Sequence, residues 1–162
     1  MPITWPVSEG QLPLYYDHKP TGRGDDYVDL TGQPLFPFGY GLSYTKFEYT
    51  ALSIEPQQIS AADTAIVRCR VKNTGDRAGD EVVQVYVHDI LASVARPVLQ
   101  LEGFRRVHLA PGEERELTFT LSREQLQMID RDMHWIVEPG FFRVLVGASS
   151  KDIRLRGELV VR

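Results

Sequence analysis

Val67-Arg68-Cys69-Arg70-Val71-Lys72 alternates apolar and basic side chains without a break. Successive side chains on a strand point to opposite faces, so this stretch buries Val67, Cys69 and Val71 and leaves Arg68, Arg70 and Lys72 in water. The same period of two recurs outward from it. Leu117, Phe119 and Leu121 alternate with Glu116, Thr118 and Thr120, and Ile153, Leu155, Leu159 and Val161 alternate with Arg154, Arg156, Glu158 and Val160. Turn-forming clusters separate the runs: Asn73-Thr74-Gly75-Asp76, Ala110-Pro111-Gly112-Glu113, Glu138-Pro139-Gly140 and Ser149-Ser150-Lys151-Asp152. Strands at this spacing, dry on one face and wet on the other, predict an all-β sandwich of two sheets and about seven strands. One interruption, Ser122-Arg123-Glu124-Gln125-Leu126, carries an N-cap serine and a glutamine in the capping-box position. It predicts a single helical turn across the end of the sandwich.

Two strands break the pattern. Val83, Val85 and Val87 form one face of theirs, yet Val82 and Tyr86 occupy the other; Phe142, Val144 and Val146 are likewise opposed by Phe141 and Leu145. A strand apolar on both sides is covered on both sides. Val82, Tyr86, Phe141 and Leu145 therefore mark a docking face, either for the preceding segment of this chain or for the rest of a larger protein.

That preceding segment, residues 1–45, holds eight of the sixteen aromatics: Trp5, Tyr15, Tyr16, Tyr27, Phe36, Phe38, Tyr40 and Tyr44. They follow no period, and prolines at 2, 6, 13, 20, 34 and 37 interrupt any regular element. An arm this aromatic lies against a surface rather than in water. It ends in Phe36-Pro37-Phe38-Gly39-Tyr40-Gly41-Leu42-Ser43-Tyr44-Thr45-Lys46-Phe47, whose proline and glycines shape a connector and exclude a helix. The division is thus an irregular arm over 1–45 and a β-sandwich over 46–162.

Composition excludes several classes of function. With 25% charged residues, a net charge of −4 and arginines scattered along strands, there is no basic stripe to follow a nucleic-acid backbone. No apolar run approaches the roughly 20 residues of a membrane helix. Cys69 is the single cysteine, so no intrachain disulfide forms, and its inward place predicts an inert core thiol.

Candidate chemistry is sparse. His18, His88, His108 and His134 are not spaced as paired metal ligands, and neither a nucleophile elbow nor a phosphate-binding glycine loop is present, so no metal and no cofactor is expected. Asn73, Asp76 and Asp80 read as turn residues, since they lack the ligand order of a calcium loop. Asp25 and Asp26 sit in a glycine-spaced loop, and Asp130 with Asp132 reads as the organiser of a turn before Trp135. Arg23-Gly24-Asp25 matches an adhesion tripeptide, a three-residue coincidence. The cationic loop His18, Lys19 and Arg23, flanked by Tyr15, Tyr16 and Tyr27, has two readings: contact with a sugar, whose faces stack on aromatics, or contact with a neighbouring domain.

Several motifs in order resemble the C-terminal region of family-3 glycoside hydrolases. They run from Gln11-Leu12-Pro13-Leu14-Tyr15-Tyr16 through His18-Lys19-Pro20-Thr21-Gly22-Arg23 to the Phe36–Tyr44 connector. Asn73-Thr74-Gly75, Gly79-Asp80-Glu81-Val82-Val83-Gln84-Val85-Tyr86-Val87, Leu101-Glu102-Gly103-Phe104, Leu109-Ala110-Pro111-Gly112-Glu113 and Gly140-Phe141-Phe142-Arg143-Val144-Leu145-Val146-Gly147 follow. The resemblance implies an immunoglobulin-like, fibronectin type III-like sandwich joined by its arm to a preceding α/β domain. It implies a non-catalytic accessory module of an enzyme hydrolysing terminal β-glucosides or β-xylosides. By the same resemblance, the nucleophilic Asp and the acid/base Glu belong to a catalytic barrel and an α/β domain preceding Met1, so no catalytic residue is expected here. Those domains are the expected partners, with a contact between copies as a further role. Such enzymes are secreted, periplasmic or cytoplasmic. Two other roles suit a sandwich: a free-standing carbohydrate-binding module using Trp5, Tyr15, Tyr16 or Trp135, and a protein-interaction module.

Overall fold

The computed structural model describes residues 1–20 and 26–162. Its strands are β1 (Phe47–Glu55), β2 (Gln58–Ile59), β3 (Ala65–Asn73), β4 (Gly79–Asp89), β5 (Gln100–Leu109), β6 (Glu114–Leu121), β7 (Met128–Ile129), β8 (Trp135–Ile136), β9 (Gly140–Gly147) and β10 (Ile153–Val161). They form a three-stranded sheet ordered β1-β3-β6, a five-stranded sheet ordered β2-β10-β9-β4-β5, and a small β7-β8 hairpin. Seven of the strands have eight or more residues, which accounts for the seven legible in the sequence. The two-residue strands are too short to show alternation.

The core lies between the two main sheets. Val67, Cys69 and Val71 of β3, with Leu117, Phe119 and Leu121 of β6, pack in one cluster with Val83, Val85 and Val87 of β4 and Phe142, Val144 and Val146 of β9. Each buried valine or leucine contributes about 1.5–3 kcal/mol against its exposed state. Burial pushes the Cys69 thiol up to about 11, so little thiolate exists at neutral pH. A thiol reagent at pH 7.5 is therefore expected to leave the folded chain unlabelled and to react fully in denaturant. Rapid labelling without denaturant would contradict this packing.

The helical turn α1 (Arg123–Leu126) forms on its predicted cap. The Ser122 N–H donates to Gln125 Oε1 at 3.0 Å and the Glu124 N–H to Ser122 Oγ at 3.3 Å. Asp130 organises the next turn, accepting from the backbone N–H groups of Asp132 and His134, both at 2.9 Å. In these bonds Asp132 contributes backbone only.

Asn73 is more than a turn residue. It is fully buried, and its amide donates to the Arg77 carbonyl at 2.7 Å and the Leu109 carbonyl at 2.9 Å. Its Oδ1 accepts from the Gly75 N–H at 3.0 Å and Thr45 Oγ1 at 2.6 Å. One side chain thus joins three loops at the point where the arm enters β1.

Candidate functional site

The arm is ordered from within before it meets the sandwich. Trp5 and Phe36 bridge as antiparallel segments, Gly39 N–H donates to the Met1 carbonyl at 2.8 Å, and Phe36 packs on Tyr40 with ring centroids 4.9 Å apart. Gln11, 1% exposed, accepts from the Val7 N–H at 2.6 Å and donates to the carbonyls of Thr31 at 2.7 Å and Gln33 at 3.1 Å. It satisfies backbone groups that an arm without regular structure would otherwise leave unpaired.

The arm then closes over the outer face of the five-stranded sheet. Gln84 of β4 is the centre of that contact. Its amide donates to the carbonyls of Gly39 at 3.2 Å and Ala148 at 2.6 Å, while its Oε1 accepts the Tyr86 hydroxyl at 2.5 Å. Gly39 has φ +83°, and a Cβ there would run into Gln84 Oε1, so the position suits glycine alone. Tyr16 stacks on Phe38 with centroids 4.1 Å apart and meets Tyr86 edge-on at 6.0 Å. The Ser150 N–H donates to the Phe38 carbonyl at 2.9 Å, the Val98 N–H to the His18 carbonyl at 2.9 Å, and the Leu101 N–H to Tyr16 Oη at 3.3 Å. Burial raises the Tyr86 phenol above its usual value, keeping it a neutral donor.

The sequence-selected residues separate into groups. Of the docking face, Tyr86 is fully buried under Tyr16, and Leu145 lies beside it in register and partly buried; Val82 and Phe141 remain 39% and 54% exposed. Phe141 belongs to the far end of β9, where its carbonyl accepts from the Ile90 N–H at 3.1 Å. In the basic loop, Tyr16 is committed to the arm–sheet contact, Tyr15 is 51% exposed, His18 is half-buried and Lys19 is exposed. Arg23, like Gly24 and Asp25, lies outside the described residues.

Four buried or half-buried polar positions were not singled out by sequence: Gln11, Gln84, Arg96 and Glu102. Gln84 did leave a signal, as a polar residue inside an apolar strand. Arg96, on the segment between β4 and β5, pairs with Asp89 at 3.1 Å, the two side chains 7% and 3% exposed. It also donates to the Leu126 carbonyl at 3.0 Å and to Gln100 Oε1 at 2.8 Å. Glu102 stands in the β-bulge where Val85 pairs with Gly103 and Tyr86 with Leu101. Burial pushes its carboxyl up to about 7, against the pull of Arg96.

Three of the better-buried carboxylates are engaged structurally. Asp89 is held by Arg96, and Asp130 caps a turn. Glu81 accepts the Tyr49 hydroxyl at 2.7 Å, joining the two sheets, with Arg154 at 3.9 Å. Among the described residues no group of three His, Cys, Asp or Glu side chains is placed to hold a metal ion, and no helix is long and apolar enough to cross a membrane. Between the arm and the β9–β10 turn lies a cleft of about 770 Å³, and on the other side of the Gly39 connector a groove of about 710 Å³ reaches Val82, Phe104 and Arg154.

Residues 81–150 match the family model of the fibronectin type III-like domain. A β-glucosidase of Bacteroides ovatus is 49% identical over 170 residues, covering 95% of this chain and 23% of its own, and a β-xylosidase of Formosa agariphila is 44% identical, covering 92% and 21%. The solved β-glucosidase of Erythrobacter marinus superposes with a TM-score of 0.93 at 42% identity, over 98% of this chain and 21% of that one. The chain therefore spans about a fifth of the length of the curated relatives it matches. Both the sandwich and the arm lie within the matched region, because the coverage reaches far beyond residues 81–150. The chain thus carries a fibronectin type III-like domain and is homologous to the C-terminal part of family-3 β-glucosidases and β-xylosidases.

Proposed function

We propose that this chain is a non-catalytic accessory module of a β-glycosidase acting on terminal β-glucosides or β-xylosides, and that it docks on the catalytic barrel and α/β domains. Residues 1–45 serve as the arm that reaches those domains, and residues 46–162 as the sandwich that holds the arm in shape. The observation that carries this reading is the two-sidedness of the arm. One side is bonded to the sandwich through Gly39, Phe38 and Tyr16. The other presents Ile3, Trp5, Leu12, Leu35, Leu42 and Tyr44 to solvent, the last two 89% and 92% exposed. Apolar surface of that extent on an ordered arm suits a partner surface better than water. Val82 and Phe104 extend it onto the sheet across the connector groove.

Reading the coding DNA upstream of the Met1 codon tests the proposal. The expected result is an open frame, in phase, encoding a barrel and an α/β domain. A stop codon followed by a ribosome-binding signal would overturn it. The 162-residue chain alone is expected to release no p-nitrophenol from p-nitrophenyl β-D-glucoside or β-D-xyloside above the blank. Turnover that survives repurification would place chemistry in this chain and defeat the accessory role.

A further inference from the structure

The first residues of the chain lie against the connector as one side of an antiparallel ladder. Trp5 bridges Phe36, and four residues earlier Met1 sits between Gly39 and Tyr40. The Met1 carbonyl accepts from the Gly39 N–H at 2.8 Å, and the Met1 amine donates to the Tyr40 carbonyl at 2.5 Å. A peptide N–H makes the second bond equally well, so the ladder does not need a chain end at Met1. Its other side runs on past Tyr40 toward β1. Among the described residues, Gly41, Leu42 and Tyr44 enter no backbone–backbone hydrogen bond. A Cβ at Gly41 would meet no atom within 4 Å, so the space beside this backbone is open. Unpaired backbone at the end of a ladder is a template for a further extended segment.

Met1, Pro2, Gly41 and Leu42 also line the connector groove of about 710 Å³, opposite which the sheet supplies Val82 and Phe104. Leu42, Val82 and Phe104 are 89%, 39% and 67% exposed. Three carboxylates line the same groove, and each is engaged from within the sandwich. Asp80 pairs with Arg106 and, at 2.8 Å, with His108; Glu81 accepts the Tyr49 hydroxyl; Asp152 accepts from Arg154 at 2.8 and 3.1 Å. The exposed apolar side chains are what the groove offers an occupant, which favours one that is apolar in turn. Covalent attachment decides between occupants. A segment joined to Met1 is already at the groove and needs no association step, whereas a second copy must be recruited from solution.

We infer that the segment immediately preceding Met1 in the parent chain continues the antiparallel run along Gly41–Tyr44 and lies in the connector groove, with apolar side chains against Val82 and Phe104. The inference rests on the docking reading and names the part of the parent that meets this face.

The test uses the full-length enzyme beside the 162-residue chain. Hydrogen exchange at the Gly41, Leu42 and Tyr44 amides, followed by mass spectrometry, is expected to be about ten-fold slower in the full-length enzyme. Cross-linking then identifies what covers them. One cysteine is placed at the second position before Met1, and a second is introduced in separate variants by Leu42→Cys, Val82→Cys or Thr118→Cys. Thr118 is exposed on β6, in the other sheet. A short bismaleimide is expected to join the upstream cysteine to the thiol of the Leu42→Cys or Val82→Cys variant and not to that of Thr118→Cys. Protection with no cross-link in either groove variant would assign the groove to another part of the enzyme, overturning the inference and leaving the docking reading intact. Unchanged exchange in the full-length enzyme also overturns it, as do cross-links in all three variants. So does a 162-residue chain that is dimeric and already protected at these amides, since a second copy would then be the occupant. A stop codon upstream of Met1 ends both readings, which separates that failure from the others.

Discussion

Gln84→Ala is expected to lower the melting temperature by about 10 °C and to release the arm from the sheet. The amide of Gln84 is the junction's shared partner, so its removal strands the Gly39 and Ala148 carbonyls and the buried Tyr86 hydroxyl together. Each buried group left unpaired costs about 1–3 kcal/mol, which puts the loss near 4 kcal/mol. For a chain of this length each kcal/mol lowers the melting temperature by about 2–4 °C. Gln84→Glu retains the shape but loses the two donors, and is expected to melt as low as the alanine variant. Gly39→Ala reaches the same contact from the other side, through the clash with Gln84 Oε1 and the strain of an L-residue at φ +83°. The measurement is thermal unfolding by circular dichroism alongside limited proteolysis. In all three variants the arm is expected to be cut while the sandwich still resists. A Gln84→Ala variant melting within about 2 °C of the parent chain, with an uncut arm, would show that the junction does not depend on this amide.

Arg96→Met is expected to cost about 3–5 kcal/mol, because it leaves Asp89 buried and unpaired. The guanidinium does more than neutralise a charge. It donates to Asp89, Gln100 and the Leu126 carbonyl, the last at the end of α1, where helix carbonyls lack partners. Arg96→Lys keeps the charge without the planar fork, and is expected to recover only part of the loss. Arg96→Met combined with Asp89→Leu should recover more, since an apolar pair replaces an ion pair at little cost once both charges are gone. It should still fall short of the parent chain, because the Leu126 carbonyl remains unpaired. Urea unfolding of the four proteins separates these terms. A double variant no more stable than Arg96→Met would show that the guanidinium acts through its carbonyl contacts and that its pairing with Asp89 contributes little.

Strand identity and the two-sheet core were legible in the sequence because they depend on side-chain alternation, which is local. Val67, Cys69 and Val71 could face only one way if Arg68, Arg70 and Lys72 were to stay wet. The helical turn at Arg123–Leu126 was legible for a related reason, since Ser122 and Gln125 bond to their own neighbours. The second apolar face of β4 and β9 was also visible, as Tyr86 and Leu145 opposite a valine face.

The sequence by itself therefore determined the sandwich and its turns, and it placed apolar side chains on the outer face of β4 and β9. Only the tertiary structure decided what covers them. Tyr86 meets Tyr16, seventy residues earlier in the chain, whereas Phe141 on the same strand face as Leu145 meets no such cover. The roles of Gln84, Asn73 and Arg96 were likewise hidden. An amide or guanidinium becomes a junction only when particular carbonyls arrive around it, and those come from segments such as Gly39, Ala148, Leu109 and Leu126. Periodicity records which way a side chain points; the partner that arrives there is set by how distant segments meet.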